Sequence, residues 1–447
     1  MLYTLYQLFG WLFFIVIFPF ACVYLAFAGK HRQGLRQRFG HVEDVQLDED
    51  KPVRIWLHAA SVGEMQVAKV LISEFKKQLP EAAIVVSTGN RHGLAVAEQL
   101  LPDDVPCFFA PFDLIGIVNR ALETIRPTVY VCLETELWPN IIRQAQHHGA
   151  KLFLLNGRLS KKSFRGYKKI KGFMQDLLSC FIKISVIQGD DAKRFRGLGA
   201  DPASIRILGN AKYDQAMLQA DPAMPERYRQ MLNIHLQQPV FVTGSTHTGE
   251  EAMLVEVFRS LQQRLPDLVW VIAPRHLRRL TEVEKVLEEQ GVASMRLRQV
   301  QEQGRSTDVV LVDTMGELAG LYSVATYVFC GGSLVERGGH NVLEAAAWGT
   351  PVFYGPHMGD FSDATALLEA ENAGFCVKNP KELASMLLYF TERPEEYAVT
   401  GRSALKVAGR QQGSAAKQVA LIKEDLHSVS HSSCVQTTTE ILEGVTQ

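Results

Sequence analysis

Residues 331–352 read GGSLVERGGHNVLEAAAWGTPV and say more about the architecture than any other segment. They follow an apolar strand predicted over 327–330, and their glycines allow the backbone to approach a ligand closely. A helix rich in small residues is predicted to begin near His340, and the unpaired N–H groups of a helix start attract anions. Asn341 and Glu344 share one face of that helix. The segment therefore predicts a phosphate or ribose site, with an ordinary strand-to-helix turn and a capping Asn as the alternative.

The composition is that of an ordinary globular protein. Of the 447 residues, 47% are hydrophobic and 21% are charged, and this length suits two or three domains. The formal net charge of -1 gives no global attraction for nucleic acid. We therefore expect no nucleic-acid partner, and contacts with anions only at local patches.

Short apolar runs alternate with longer amphipathic runs along most of the chain. The predicted strands are 53–58, 83–88, 105–109, 129–133, 151–155 and 184–188, followed by 240–244, 268–273, 309–312, 327–330 and 351–354. This alternation predicts an α/β protein with two doubly wound, Rossmann-like parallel sheets. The segment between the two series lacks strand signal, and the two domains are expected to face each other across a cleft.

The N-terminus differs in kind from the rest. Residues 1–29 carry no charge, and the apolar run 8–28 is long enough for a bilayer core of about 30 Å. Basic residues follow at once, so the positive-inside rule predicts a single N-terminal anchor with the other domains in the cytoplasm. Pro19 leaves open a kinked helix that enters only one leaflet. A cleaved signal peptide is disfavoured because no basic segment precedes the run.

These patterns divide the chain into six predicted segments. They are a membrane anchor (1–29), a basic juxtamembrane linker (30–52), an N-terminal domain (53–215), an interdomain linker (216–238), a C-terminal nucleotide-binding domain (239–427) and a flexible tail (428–447). The tail is predicted because Ser, Thr, Gln and His dominate it without an apolar period.

Polar side chains cluster at the carboxyl ends of the predicted strands, where parallel sheets bind ligands. These segments are 58–64, 134–140 and 156–160 in the first domain, and 244–251, 273–276 and 313–318 in the second. The pattern predicts carboxylates in the first domain and a nucleotide or phosphate site in the second.

Glu64 is a candidate base because it lies in the first turn of a predicted helix. A carboxylate that only stabilises the helix start is the alternative. Glu134 and Glu136 alternate at a strand end, so we expect both to point to one side and orient an acceptor, or else to cap the following turn. Arg275 and His276 follow an apolar strand and a proline, as in a phosphate clamp or as an ordinary surface pair.

The basic run 161–174 places an aromatic or apolar residue at every third position. Such a helix suits an anionic membrane surface or a phosphorylated lipid, and is otherwise a solvated helix with its apolar side on the core. Motifs for nicotinamide cofactors, nucleoside triphosphates and zinc are missing from the sequence. Metal-independent chemistry without a cofactor is therefore expected.

Several motifs, in one order, resemble the 3-deoxy-D-manno-oct-2-ulosonic acid (Kdo) transferases of Gram-negative lipopolysaccharide synthesis. The motifs are Trp56-x-His58-x-x-Ser61-Val62-Gly63-Glu64, Glu134-Thr135-Glu136-Leu137-Trp138-Pro139-Asn140, Asn156-x-Arg158-Leu159-Ser160, Gly209-Asn210-x-Lys212-x-Asp214, Gly244-Ser245-Thr246-His247, Ala273-Pro274-Arg275-His276 and Gly338-Gly339-His340-Asn341. The resemblance extends to about residue 420 and implies a two-domain GT-B fold.

The resemblance implies an inverting transfer of Kdo from CMP-Kdo, held mainly by the second domain. The implied acceptor is lipid IVA, the tetraacylated, bis-phosphorylated lipid A precursor, at the cytoplasmic face of the inner membrane. Glu64 would be the general base, with Glu134 and Glu136 as further catalytic carboxylates. The implied CMP contacts are Arg275, Gly316, Glu317, Asn341 and Glu344, and the residues for the donor's negative groups are Lys212 and Arg91. The other predicted substrate-binding residues are Ser61, Gly63, Asn156, Arg158, Ser245, Thr246, Pro274, His276, Gly332, Ser333, Gly339 and His340.

The chain departs from the family pattern at three places. Ala345 replaces a usual Pro, Gly157 replaces a usual Ala, and Gly359-Asp360-Phe361 replaces an Asn-Phe pair, which leaves the role of Asp360 open. Two rival interpretations are a UDP-sugar transferase or epimerase of the same architecture and a non-catalytic, membrane-tethered binding protein.

Overall fold

A computed structural model of the protein describes residues 2–27, 34–45, 51–214 and 221–427. The chain divides into two compact units. Unit 1 contains Met1–Lys212 and Gly413–Gln447, and unit 2 contains Tyr213–Gln412. The predicted tail 428–447, most of the basic linker and part of the interdomain linker lie outside the described residues.

Unit 1 is built on a seven-stranded parallel sheet. Its strands are β1 (Val53–His58), β2 (Ala82–Thr88), β3 (Cys107–Phe109), β4 (Val129–Leu133), β5 (Lys151–Gly157), β6 (Phe181–Val186) and β7 (Ile205–Ile207). Its helices are α1 (Leu2–Phe27), α2 (Leu35–Arg38), α3 (Val62–Gln78), α4 (Arg91–Leu100), α5 (Ile115–Ile125), α6 (Pro139–His147), α7 (Lys161–Lys168), α8 (Lys171–Leu178), α9 (Gly189–Gly197) and a last helix over 414–427. The strand order is β3-β2-β1-β4-β5-β6-β7, so the chain winds outward in both directions from the β1/β4 pair.

The central strands of unit 1 are apolar on both faces because helices cover both sides of the sheet. On one face the Trp56 ring packs against Tyr130, with their centroids 5.5 Å apart. On the other face Ile55 and Leu57 pack in a cluster that includes Val419 and Ile422 of the helix over 414–427. This last helix therefore belongs to unit 1, whereas the sequence assigned residues up to 427 to the second domain.

The N-terminal part of α1 packs against the rest of unit 1. The Tyr3 hydroxyl donates to Asn140 Oδ1 (2.9 Å), and the Tyr6 hydroxyl donates to Asp113 Oδ2 (2.7 Å). The Phe14 ring contacts Phe112 at 6.0 Å. The hydroxyl groups of both tyrosines are therefore hydrogen-bonded to other side chains of the protein.

Among residues 2–27, 34–45, 51–214 and 221–427, no helix is long and apolar enough to cross a membrane. The predicted spanning anchor over 8–28 thus finds no support in the described residues.

Unit 2 is built on a second seven-stranded parallel sheet. Its strands are β8 (Val240–Thr246), β9 (Val269–Pro274), β10 (Ser294–Arg296), β11 (Val309–Leu311), β12 (Tyr327–Cys330), β13 (Val352–Tyr354) and β14 (Gly374–Cys376). Its helices are α10 (Met224–Leu232), α11 (Glu250–Gln262), α12 (Leu280–Glu289), α13 (Leu297–Gln303), α14 (Leu318–Leu321), α15 (Leu343–Ala346), α16 (Ser362–Ala370), α17 (Pro380–Thr391) and α18 (Pro394–Arg410). The strand order is β10-β11-β9-β8-β12-β13-β14. The β8 and β12 strands are parallel, and the order in which strands are added across the sheet reverses between them.

The predicted α/β class with two parallel sheets is confirmed. One difference lies in the predicted linker 216–238, which contains α10. Tyr228 and Leu232 of α10 are buried in the core of unit 2. The described part of this segment is therefore an element of the second unit.

Candidate active site

The reversal of strand order in unit 1 brings the ends of β1 and β4 together, because His58 pairs with Cys132 in register. In doubly wound sheets this is the place where ligands bind. The chain that follows β1 carries Glu64, and the chain that follows β4 carries Glu134 and Glu136. The topology thus groups the three carboxylates that the sequence predicted as catalytic.

Glu64 is held by the start of α3. Ser61 caps the helix, and its Oγ accepts from the Glu64 N–H (3.3 Å) while donating to Glu64 Oε1 (2.9 Å). The Ala60 N–H donates to Glu64 Oε2 (2.7 Å). This reciprocal pairing resembles a capping box, so the stabilising role considered from the sequence is present. Each carboxylate oxygen still has a second lone pair for a substrate proton.

Glu134 and Glu136 lie in a turn, so the predicted strand alternation does not continue past Leu133. Glu134 has a left-handed backbone (φ 52°), which is uncommon for a residue other than glycine. The Glu136 side chain accepts from Trp138 Nε1 at 3.0 Å. Glu136 therefore makes the capping bond in the Trp138 turn, which was one of the two roles that the sequence allowed for it.

The electrostatic surroundings raise the pKa of Glu64 to about 8. Burial is the largest cause, since only 5% of the residue is exposed, and the charges of Glu134 and Glu136 add to it. The hydrogen bonds from Ala60 and Ser61 act in the opposite direction. A carboxylate with such a pKa exchanges its proton near neutral pH, as a general base must.

The surface beside Glu64 has room for a substrate. Gly63 is exposed, and a Cβ at this position would meet only Ser61 Oγ, at 3.9 Å. Asn90 Nδ2 donates to the Ala60 carbonyl (3.0 Å) and links the start of α4 to this loop. Arg91, the first residue of α4, is exposed next to that link. Gly63 and Arg91 are thus accessible, as predicted substrate contacts must be.

Asn156, in contrast, is fully buried. Its N–H donates to Gln418 Oε1 (2.8 Å), and its Oδ1 accepts from the Ala211 N–H (2.9 Å). Asn156 therefore ties Ala211 and the last helix to β5, and its predicted substrate contact stays a prediction. Lys212 lies in the 211–213 turn and is only partly buried.

Arg158 is partly buried, and its carbonyl accepts from the Thr135 hydroxyl at 3.1 Å. The loop that follows β5 is thereby bonded to the turn that carries Glu134 and Glu136. Asp191 holds the next residue of this loop by accepting from the Leu159 N–H (3.0 Å). Asp191 was not among the predicted site residues, because its partner lies 32 positions away along the chain.

In unit 2, the glycine-rich segment 331–334 already binds an anion, the carboxylate of Glu250. The N–H groups of Gly332 (2.7 Å), Ser333 (3.1 Å) and Leu334 (3.0 Å) donate to it, as does that of His247 (2.9 Å). Glu250 is fully buried. In this structure the amides of Gly332 and Ser333 are thus bonded to Glu250, which gives both residues a structural role, and their substrate contacts stay predictions.

Three further residues that were predicted to bind substrate are buried in unit 2. Thr246 is fully buried, and its hydroxyl donates to Glu251 Oε1 (2.8 Å). Pro274 is the buried last residue of β9, paired with Thr246. Gly339 has φ 73°, which favours glycine, and a Cβ there would lie 2.2 Å from Met358 Sδ. Ser245 is partly exposed and also has a left-handed backbone (φ 57°).

Helix α15 has only four residues, Leu343–Ala346, so few peptide dipoles align at its start. Asn341 Oδ1 accepts from the Leu343 N–H (3.1 Å), which is the capping role that the sequence left open. Asn341 Nδ2 also donates to Glu344 Oε1 (3.1 Å). Asn341 and Glu344 therefore form one polar pair on a partly exposed surface, in agreement with their predicted common face.

Three histidines form a cluster beside Gly332, in the segment whose amides bind the Glu250 carboxylate. His247 Nε2 and His340 Nε2 are 3.0 Å apart with stacked rings, and the His276 ring meets His247 edge-on at 5.8 Å. Burial lowers the pKa of His247, and the positive charges around it lower it further. The predicted set of site residues did not include His247.

Several arginines surround these histidines. Arg279 is neutralised by Glu251 (2.9 Å) and Glu282 (3.0 Å). Arg275, Arg278 and Arg337 are exposed, and none of them has an ion-pair partner within the described ranges. Together with partial burial, their charges lower the pKa of His276. This side of unit 2 therefore carries positive charge suited to an anionic ligand.

Glu317 and Gly316 lie on the chain between β11 and α14. Gly316 is exposed with φ 88°, and a Cβ there would meet no atom within 4 Å. The Glu317 carboxylate accepts from the Tyr228 hydroxyl at 2.6 Å. Both predicted nucleotide contacts are thus accessible at least in part.

Comparison with known proteins assigns this chain to a family. The family model of 3-deoxy-D-manno-octulosonic-acid transferase (kdotransferase) matches residues 33–215. The 3-deoxy-D-manno-octulosonic acid transferase of Haemophilus influenzae is 31% identical over 340 residues, which cover 76% of this chain and 78% of the relative. The enzyme of the same name from Chlamydophila psittaci is 31% identical over 373 residues, covering 83% and 84%.

Among solved structures, the UDP-GlcNAc 2-epimerase from Neisseria meningitidis bound to UDP-GlcNAc matches with a TM-score of 0.56. It is 13% identical, and the match covers 83% of this chain and 100% of the epimerase. At this identity the likeness concerns the fold alone, which is the α/β fold of GT-B proteins.

The relatives confirm the predicted Kdo-transferring activity, and they argue against a non-catalytic binding protein. The chain belongs to the 3-deoxy-D-manno-octulosonic acid transferase family, glycosyltransferases of lipopolysaccharide biosynthesis.

Proposed function

We propose that the protein transfers Kdo from CMP-Kdo to lipid IVA by a single inverting displacement. Glu64 takes the proton of an acceptor sugar hydroxyl while that oxygen attacks the anomeric carbon of Kdo. The bond from this carbon to the phosphate oxygen breaks, and CMP leaves with the electron pair. The observation that carries the proposal is the buried Glu64 beside Glu134 and Glu136, with its pKa raised to about 8.

Unit 2 supplies the donor site in this proposal. The phosphate and carboxylate of CMP-Kdo are anions, and Arg275, Arg278 and Arg337 carry positive charge without internal ion pairs in the described part of the chain. Asn341, Glu344 and Glu317 offer hydrogen bonds to the nucleoside. The arginines would also stabilise the charge that develops on the departing CMP.

The acceptor is a lipid, so we further propose that unit 1 lies at the cytoplasmic face of the inner membrane. The outward side of α1 exposes large apolar side chains, namely Leu8, Phe9, Leu12, Ile15 and Val16. Next to it, Tyr6 contacts Phe173 of α8. The exposed bases of α7 and α8 are Lys161, Lys162, Arg165, Lys168 and Lys171. An apolar helix beside a basic one suits the interface of an anionic membrane without crossing it.

The reaction is tested by incubating the protein with CMP-Kdo and lipid IVA and measuring the mass of the lipid. The proposal predicts a gain equal to one or more Kdo residues, with release of one CMP for each. Replacement of CMP-Kdo by UDP-sugars tests the rival donor class. A lipid of unchanged mass with CMP-Kdo, or sugar transfer from a UDP-sugar only, would refute the proposed reaction.

The membrane proposal is tested by flotation with vesicles that contain anionic phospholipid. The double variant Lys161→Glu/Lys168→Glu should lose most vesicle binding, because each base near an anionic surface contributes about 1 kcal/mol. Lys285→Glu, an exposed lysine of unit 2, is the matched control. Equal binding by the double variant and the control would contradict a role of α7 at the membrane.

A further inference from the structure

Tyr228 lies in α10, within the segment that the sequence assigned to a linker. It is only 4% exposed, and its ring lies close to the backbone at Gly320, where a Cβ would be 2.2 Å from the ring carbon Cε2. The glycine therefore permits the ring to approach α14 closely. This fit places the Tyr228 hydroxyl beside the start of α14.

The Tyr228 hydroxyl donates to Glu317 Oε2 at 2.6 Å. Burial raises the pKa of Tyr228, and the bond to Glu317 raises it further, so the hydroxyl remains a donor at neutral pH. Glu317 Oε1 has no hydrogen-bond partner among the described residues. One oxygen of the carboxylate is thus fixed, and the other remains available as an acceptor.

The turn that carries Glu317 is also fixed from other directions. Trp348 Nε1 donates to the carbonyl of Ala319 at 2.9 Å. Tyr322, just after α14, approaches Gly244 so closely that a Cβ there would lie 2.0 Å from the tyrosine oxygen. Glu317 is therefore presented by a rigid segment, as a binding group should be.

We propose that Tyr228 is a positioning residue of the donor site. It holds the Glu317 carboxylate so that Oε1 accepts a hydrogen bond from the cytidine nucleotide, either from a ribose hydroxyl or from the cytosine amino group. This inference rests on the proposed function, because it takes CMP-Kdo as the donor.

The test compares Tyr228→Phe with the unmodified protein by calorimetric binding of CMP and by steady-state kinetics. The variant keeps the ring and loses only the hydroxyl. We expect an about five- to twenty-fold weaker affinity for CMP and a similar rise in KM for CMP-Kdo, with kcat within about two-fold. Tyr354→Phe is the matched control, because the Tyr354 hydroxyl also donates to a carboxylate, that of Glu369 (2.9 Å), on another part of unit 2.

The source of the hydrogen bond follows from three probes. If the donor is a ribose hydroxyl, Tyr228→Phe lowers the preference for CMP over 2′-deoxy-CMP. If the donor is the cytosine amino group, Tyr228→Phe lowers the preference for CMP over UMP.

The double variant Tyr228→Phe/Glu317→Gln should bind CMP about as weakly as Glu317→Gln alone, because the tyrosine acts through the carboxylate.

An unchanged affinity and KM in Tyr228→Phe, while Glu317→Gln weakens CMP binding, would overturn the positioning role. Equal losses in Tyr228→Phe and Tyr354→Phe would overturn it as well. Failure of the proposed function has a different signature, since the unmodified protein would then neither bind CMP nor add Kdo to lipid IVA.

Discussion

Glu64 has two roles that use the same atoms. Its carboxylate completes the start of α3 by accepting from Ser61 and Ala60, and its remaining lone pairs suit proton transfer. The position of Glu64 after β1 made it the candidate base in the sequence, and its role as the base stays a prediction. A helix start favours the ionised form of a carboxylate, but burial and two neighbouring carboxylates raise the pKa of Glu64 to about 8.

The charge of Glu136 is one cause of that raised pKa, so Glu136→Gln provides a test at the scale of one residue. Without this negative charge Glu64 ionises more easily, and its pKa falls. The acidic limb of the kcat/KM profile should therefore move to lower pH. The measurement is the rate of Kdo transfer between pH 5.5 and 9.5. A limb that stays in place or moves to higher pH would contradict the assigned interaction.

Other residues of the site could not be predicted from local patterns. Glu250 lies in the predicted polar segment 244–251, yet its partners Gly332, Ser333 and Leu334 are more than 80 positions away. Tyr228 and Glu317 are 89 positions apart. The sequence marks the strand ends where such groups collect, but their pairing depends on the order of strands in the sheet.

At the scale of elements, the central strands and the edge strand β3 were predictable, but the other three edge strands were not. The bounds of β1, β4 and β12 match the predicted ranges, because these strands are apolar on both faces. The missed strands β7, β10 and β14 have three residues each, and most of their side chains are partly or fully exposed. A short edge strand lacks the continuous apolar run that marks a buried one.

The glycine-rich segment after β12 owes its shape to Glu250, which Glu250→Gln should reveal. The amide group of glutamine turns an N–H donor toward backbone N–H donors, and each buried donor left unpaired costs about 1–3 kcal/mol. We expect the free energy of unfolding to fall by about 2–4 kcal/mol in a urea titration. Glu256→Gln, at an exposed position of α11, should change it by less than about 0.5 kcal/mol. Equal stability of the two variants would mean that Glu250 does not hold this segment.

At the scale of the whole molecule, the chain leaves unit 1 after Lys212 and returns to it at Gly413. The helix over 414–427 completes the core of unit 1 with Ala415, Val419 and Ile422. The apolar face of a helix does not by itself tell which sheet the helix covers. The predicted end of the second domain at 427 followed from the composition of the tail that begins at residue 428.

Gln418 fastens this returning helix, and Gln418→Ala tests the attachment. Its buried side chain accepts from the Asn156 N–H (2.8 Å) and donates to the Gly209 carbonyl (3.4 Å). We expect a loss of about 1–3 kcal/mol in the stability of unit 1 and faster hydrogen exchange over 414–427. Lys417→Ala, an exposed neighbour, is the control. Unchanged exchange in Gln418→Ala would show that apolar packing alone holds the helix.

The central claim is that Glu64 is the base of Kdo transfer, and Glu64→Gln tests it most directly. Glu74→Gln, which removes a carboxylate of the same helix away from the site, is the control. The measurement is Kdo transfer from CMP-Kdo to lipid IVA, read from the mass of the lipid, together with the affinity for CMP. We predict a fall of about 10²- to 10⁴-fold in turnover for Glu64→Gln with little change in CMP affinity. Turnover close to that of Glu74→Gln would contradict the account.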